Sequence, residues 1–282
     1  VGYDAAAGRF FLTPEQAAVF ADEDSPHFMA GAFETVAAMF ADEPRITEAF
    51  RGGHGVGWHE HHDCLFSGCA RLFRATYLRS LLQDWLPALD GVVERLERGA
   101  SVADVGCGHG ASTIIMAQAF PNSRFVGFDS HPESVAAARA AADRAGVAGR
   151  VRFEVATAQD FPGATAAAGY DLVAFFDCLH DMGDPVSAAR RVGATLAPDG
   201  TWMVVEPFAN DRLADNLTPI GRIFYAASTM ICTPASLSQD GALGLGAQAG
   251  EARLRAVIEG GGFTRVRRAT ETPFNLILEA RP

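Results

Sequence analysis

Val102-Ala103-Asp104-Val105-Gly106-Cys107-Gly108-His109-Gly110 is a short apolar run that breaks into glycines, and nineteen residues beyond it Asp129 closes a second apolar run. The spacing predicts a buried strand over 101–105, a glycine loop, a helix over 111–120, and a second strand over 124–128 with an acid at its tip. Where a strand stops in glycines and restarts as a helix, no Cβ stands between the backbone N–H groups and a ligand. The stretch therefore predicts a nucleotide or nucleoside pocket.

Charge narrows the choice of ligand. Gly106, Gly108 and Gly110 are spaced G-x-G-x-G, whereas dinucleotide sites usually read G-x-G-x-x-G. Asp104 lies two residues before the first glycine, and a loop built for a pyrophosphate has no use for that carboxylate. S-adenosylmethionine (SAM) brings an α-ammonium and a sulfonium in place of a pyrophosphate, so an acid at the strand end receives the ammonium directly or through water. Asp129, followed by Ser130, suits the ribose diol, whose two donors match the two oxygens of one carboxylate. SAM is the expected cofactor; a nicotinamide dinucleotide and a purely structural turn are the alternatives.

The chain has 282 residues and no lysine: all 23 basic side chains are arginine. That removes the P-loop lysine, the Schiff-base lysine and the lysine partner of a dehydrogenase tyrosine. Net charge is −11, and residues 1–98 carry 15 acids against 8 arginines. Such a surface repels a phosphate backbone, so no nucleic-acid partner is expected. No apolar run approaches the ~20 residues that span a bilayer, and no signal-peptide pattern opens the chain. The expectation is a cytoplasmic protein without a membrane partner. Cys64, Cys69, Cys107, Cys178 and Cys232 are odd in number and form no C-x-x-C pair, which reads as five thiols.

Along the chain, residues 2–4 and 8–13 read as a hairpin, marginal by itself in water, so a preceding segment is expected to support it. Thr13-Pro14 starts a helix, and helical patterns run over 27–41 and 66–86. From residue 100 strands at 101–105, 124–128, 150–156, 170–177, 200–206, 264–270 and 274–280 alternate with helices near 111–120, 131–146, 184–196 and 249–261. Alternation of this kind predicts an α/β fold, a Rossmann-like doubly wound sheet. Residues 1–98 form a mostly helical N-terminal domain and 99–282 the SAM-binding domain. A stretch at 207–247 is longer than a connection needs and reads as a lid insertion, helical over 211–230, with a glycine-rich turn over 241–250 that reads as a flexible loop.

From residue 100 onward the chain resembles the class I SAM-dependent methyltransferases. The resemblance rests on Asp104-Val-Gly-Cys-Gly-His-Gly110, Asp129, Ala156-Thr-Ala-Gln-Asp-Phe-Pro162, Tyr170-Asp171-Leu172-Val173 and Phe176-Asp177. It implies a seven-stranded sheet whose last strand is antiparallel, with the cofactor over the strand ends and the adenine against Thr157, Ala158 and Gln159. The front of the chain resembles, more weakly, the winged-helix dimerisation domain of mycobacterial and small-molecule O-methyltransferases, which implies a homodimer.

Methyl transfer from a sulfonium is an in-line displacement, so the protein must hold nucleophile and methyl carbon close and, for a hydroxyl, take a proton. Asp177-Cys-Leu-His-Asp-Met-Gly-Asp184 resembles the segment that carries the general base in O-methyltransferases. His180, oriented by Asp181, reads either as that base or as a structural residue. His59 and His62 would share a helix face, as substrate-pocket lining, as a metal site with Asp63, or as solvated surface; no metal is assigned. Arg222, Tyr225 and Thr229 in the lid read as grips on a small substrate, or as the outer face of an ordinary helix, and Glu206 reads as pointing to the same rim. The expected function is methyl transfer to oxygen or nitrogen of a small molecule. The alternative is a SAM-binding protein that regulates or catalyses another reaction, and a winged-helix nucleic-acid methyltransferase is a third, weaker reading.

Overall fold

A computed structural model describes residues 1–165 and 169–282. In chain order the elements are β1 (Gly2–Asp4), β2 (Arg9–Phe11), α1 (Pro14–Phe20), α2 (Ala30–Gly52), α3 (Cys64–Ser80), α4 (Val92–Arg98), β3 (Ser101–Val105), α5 (Ala111–Ala119), β4 (Arg124–Asp129), α6 (Pro132–Arg144), β5 (Val151–Val155), β6 (Tyr170–Phe176), α7 (Pro185–Thr195), β7 (Leu196–Pro207), α8 (Pro219–Ala227), α9 (Thr233–Leu237), α10 (Glu251–Gly260), β8 (Arg265–Glu271) and β9 (Asn275–Arg281). Among the described residues, seven strands form one sheet in the order β5-β4-β3-β6-β7-β9-β8. The first five run parallel, and β9 lies antiparallel between β7 and β8.

The strand sequences explain the burial. A parallel sheet covered on both faces needs near-continuous apolar runs, and Tyr170–Phe176 and Trp202–Val205 supply them. Alternate residues serve opposite faces. Val102, Leu172, Ala174, Met203 and Val205 pack in one core with Trp85, Met116 and Val135. Ala103, Val173, Phe175, Trp202 and Val204 pack in the other with Ala188, Val192, Leu254 and Ile258.

Three local expectations need correction. Helix α2 runs through Pro44 to Gly52 rather than stopping near 41. Its inner residues Ala38, Asp42, Ile46 and Ala49 are buried, and this packing outweighs the local signal that proline gives. A short helix, α4, follows Trp85 where none was expected. The glycine-rich stretch of the 207–247 segment is pinned rather than loose: Leu243 N–H donates to Gly183 O at 3.0 Å and Gly246 N–H to His180 O at 3.2 Å.

Candidate functional site

The crook between β3 and α5 is made by three left-handed glycines, Gly106 (φ 76°), Gly108 (φ 52°) and Gly110 (φ 79°). A Cβ on Gly106 would stand 2.7 Å from Cys178 Sγ, and one on Gly110 would stand 2.5 Å from the Phe153 ring. Each of these two glycines therefore serves both a turn and a close approach. At the tip of β4, Asp129 Oδ2 accepts from Gly108 N at 2.8 Å and Oδ1 from His131 N at 2.9 Å. Burial raises its pKa, against the pull of those two N–H groups.

A cavity of ≈260 Å³ opens at this crook. Gly106, Cys107, Gly108, Asp129, Ser130, Thr157, Ala158, Gln159, Phe176, Asp177 and Asp181 all line it. The opposite wall is Trp58, Phe66, Cys69, Phe73 and Tyr77, with Gln239 from the segment after α9. An adjoining depression of ≈840 Å³ at its mouth shares Trp58, Phe66, His109, Ser130 and Ser134 with it and adds His59. His109 has a lowered pKa because burial disfavours its cation.

Several sequence-predicted residues lie elsewhere. Asp104 lies behind the loop, outside the cavity lining: its Oδ2 accepts from Ser112 Oγ at 2.5 Å and Thr113 Oγ1 at 2.6 Å, and its Oδ1 is buried without a partner. Burial pushes its pKa up to about 6, held back by those two hydroxyls. Gly110 shapes the loop but does not line the cavity. His59 and His62 do not share a helix face, because Trp58–Glu60 is a single 3₁₀ turn and His61 is extended. Both are exposed, while the unselected His61 is buried and meets Asp42 Oδ2 at 2.9 Å. Arg222 and Thr229 are exposed, Tyr225 is half-buried, and none of the three expected grips lines the cavity. Glu206 is not on a rim: it is 1% exposed beneath the β6 end, accepting from Leu179 N at 3.0 Å and from His180 Nδ1.

His180, expected either as a base or as a structural residue, is placed behind the cavity wall. Its ring is buried and lies behind the lining, with Nδ1 on Glu206 and Nε2 3.1 Å from Asp181 Oδ1. Burial works against the cation, but the carboxylates of Glu206 and Asp181 outweigh it, and the pKa lies well above the ordinary histidine value. Both ring nitrogens therefore face carboxylates behind the lining, and neither faces the cavity. Asp177, at φ 50°, faces the cavity with Oδ1 accepting from Asn275 Nδ2 at 3.2 Å and Oδ2 without a partner. Burial, then the nearby charge of Glu206, pushes its pKa up to about 8.

Sequence reasoning missed the aromatic wall. Phe66, Cys69, Phe73 and Tyr77 recur at helical spacing along α3 and form one stripe, but the pattern cannot tell a core face from a cavity face. Cys232 was also missed as a neighbour of His180 and Asp181.

A family described as a methyltransferase domain matches residues 96–245. The chain is 34% identical to a trans-aconitate 2-methyltransferase of Streptomyces avermitilis over 102 residues, 36% of this chain and 37% of that protein. An O-methyltransferase family protein from Burkholderia thailandensis superposes with TM-score 0.68 at 18% identity, over 95% of this chain and 76% of that one. Human N-acetylserotonin methyltransferase, solved with SAM, superposes with TM-score 0.66 at 16% identity, over 95% and 75%. The two superpositions show the shared fold. Fold and cavity together define a class I, Rossmann-like protein with a helical front. The chain belongs to the methyltransferase domain family.

Proposed function

We propose that the protein is a SAM-dependent methyltransferase acting on oxygen or nitrogen of a small molecule. One observation carries the reading: the glycine crook and Asp129 share a cavity with an aromatic wall. The polar groups fit the cofactor. The unpartnered Oδ2 of Asp177 is an acceptor for an α-ammonium, each Asp129 oxygen keeps a second lone pair for the ribose diol, and the 157–159 loop borders the space for adenine. When bound, SAM supplies an electrophilic methyl group on a sulfonium. Trp58, Phe66, Phe73 and Tyr77 would exclude water and orient an apolar or aromatic acceptor. With both His180 nitrogens turned to carboxylates behind the lining, proton removal falls to solvent, to Asp181 or to His109, which favours acceptors that are already acidic or carry a free lone pair.

The same observation on His180 keeps a second reading open, a SAM-binding protein that transfers no methyl group. Titration with S-adenosylhomocysteine by calorimetry tests the pocket, and absence of binding at millimolar ligand overturns both readings. Incubation with methyl-labelled SAM and a panel of phenols, carboxylic acids and amines separates them: label in any acceptor removes the second.

The curated relatives are matched over 35% to 48% of their length, so the reading of residues 1–98 rests on the cavity itself. We read them as a pocket cover of winged-helix ancestry, supported by the β1–β2 hairpin and by the α3 aromatics in the cavity wall. Residues 99–282 would be the SAM-binding domain and 207–247 its lid, supported by Gln239. A homodimer is supported by the exposed apolar face of α2. No described helix is long and apolar enough to cross a membrane, which accords with a cytoplasmic reading, and the acidic front accords with the absence of a nucleic-acid partner.

A further inference from the structure

We propose that His180, Asp181 and Cys232 form a site for a divalent metal ion of the zinc type, set in the wall of the cavity. His180 Nε2, an Asp181 oxygen and Cys232 Sγ all lie within 4.8 Å of one another. Three ligands of these kinds around a tetrahedral zinc stand roughly 3.3–3.8 Å apart at ordinary bond lengths. The 3.1 Å between Nε2 and Asp181 Oδ1 and the outer limit of 4.8 Å bracket that spacing, so a small side-chain adjustment closes the set. Asp181 Oδ1 is buried and directed at His180 Nε2, so the nitrogen and oxygen ligands converge on one point.

The surroundings match a metal centre at a second level. His180 gives its other nitrogen to Glu206, a buried carboxylate that fixes the ring's orientation and tautomer as in carboxylate–histidine–metal arrangements. Glu206 also accepts from Leu179 N, so the acid on β7 holds the whole turn that carries His180 and Asp181. Cys232 is the last residue of a π-helical turn, Ser228–Cys232, an irregularity frequent at functional sites. The turn directs a buried thiol inward, 51 residues from Asp181 and 52 from His180 in sequence.

One nitrogen, one oxygen and one sulfur ligand leave a fourth position, as in catalytic zinc sites. Asp181 lines the cavity while His180 and Cys232 do not, so the ligand set borders the cavity from behind its wall. The thiolate selects zinc or cobalt over magnesium or calcium. On binding, the Cys232 S–H bond and the His180 Nε2–H bond both break, the two protons leave to solvent, and the freed sulfur and nitrogen pairs form the metal bonds. The metal site stands on its own ligands and does not depend on the methyltransferase reading.

The full chain, stripped with a chelator and kept reduced, is titrated with Co²⁺. The expected result is about one equivalent bound, with a near-ultraviolet thiolate charge-transfer band and visible bands of four-coordinate cobalt that Zn²⁺ abolishes. Cys232→Ser should lose the near-ultraviolet band, and Glu206→Gln should weaken affinity about 10–100-fold. A His59→Ala, His62→Ala double variant should leave the spectrum unchanged. Where Cys232→Ser does not fold, Asp181→Asn gives the same test through loss of the four-coordinate visible bands. No charge-transfer band, a spectrum that survives Cys232→Ser, or one lost in the double histidine variant overturns the proposal.

Discussion

Asp177 concentrates the electrostatics of the site. Its carboxyl is pushed up to about 8 by burial and then by Glu206, so at neutral pH it is mostly protonated while the cavity is free. A ligand ammonium prefers the ionised form, and binding below pH 8 must release that proton. The affinity for S-adenosylhomocysteine should therefore rise from pH 6 to 8, by up to about tenfold per pH unit. Asp177→Asn should flatten the acid limb in a calorimetric pH series; an unchanged slope would place the ammonium elsewhere. Asp104 teaches the complementary lesson. Its position before the glycines was legible, but two hydroxyls on α5, eight and nine residues away, took its inner oxygen.

The β3–loop–α5 unit was the most legible element, because strand, glycines and helix each leave a local signature. Gly110 is its tightest point. A Cβ there meets the Phe153 ring at 2.5 Å and Ala138 Cβ at 3.0 Å, on a left-handed backbone. Gly110→Ala should cost about 2–4 kcal/mol through overpacking and backbone strain, read as a lower denaturant midpoint, with cofactor affinity falling in parallel. Full stability in the variant would show that the crook relaxes freely. Helix α2 was less legible. Asp42-Glu43-Pro44 reads locally as a stop, yet the buried contact of Asp42 with His61 Nδ1 and His62 N holds the helix through it. The same contact decided the histidine cluster: burying His61 turns His59 and His62 out to solvent.

At the scale of the whole molecule, the described residues expose apolar side chains along α2, where Phe33, Phe40 and Phe50 are 63%, 79% and 66% exposed. Apolar side chains concentrated like this mark an interface rather than a solvated face. A homodimer covering α2 is expected, and Phe40→Glu should shift it to monomer in sedimentation velocity at micromolar concentration. Identical sedimentation of parent and variant would remove α2 from the interface. The acidic excess of residues 1–98 belongs to the same scale, since a summed charge acts on partners whatever the local packing.

What the sequence determined by itself is whatever repeats or breaks locally: the alternation of strand and helix, the parallel doubly wound sheet, the glycine crook and the acid at the β4 tip. Each follows from period, steric freedom or charge within a window of tens of residues. Tertiary structure alone decided the state of His180, because its partners Glu206 and Cys232 come from 26 and 52 residues away and only folding sets their distances. It also decided that the α3 stripe faces a cavity and that Arg222, Tyr225 and Thr229 do not line it. A helical period defines a face, but what the face meets is set by the packing of distant elements.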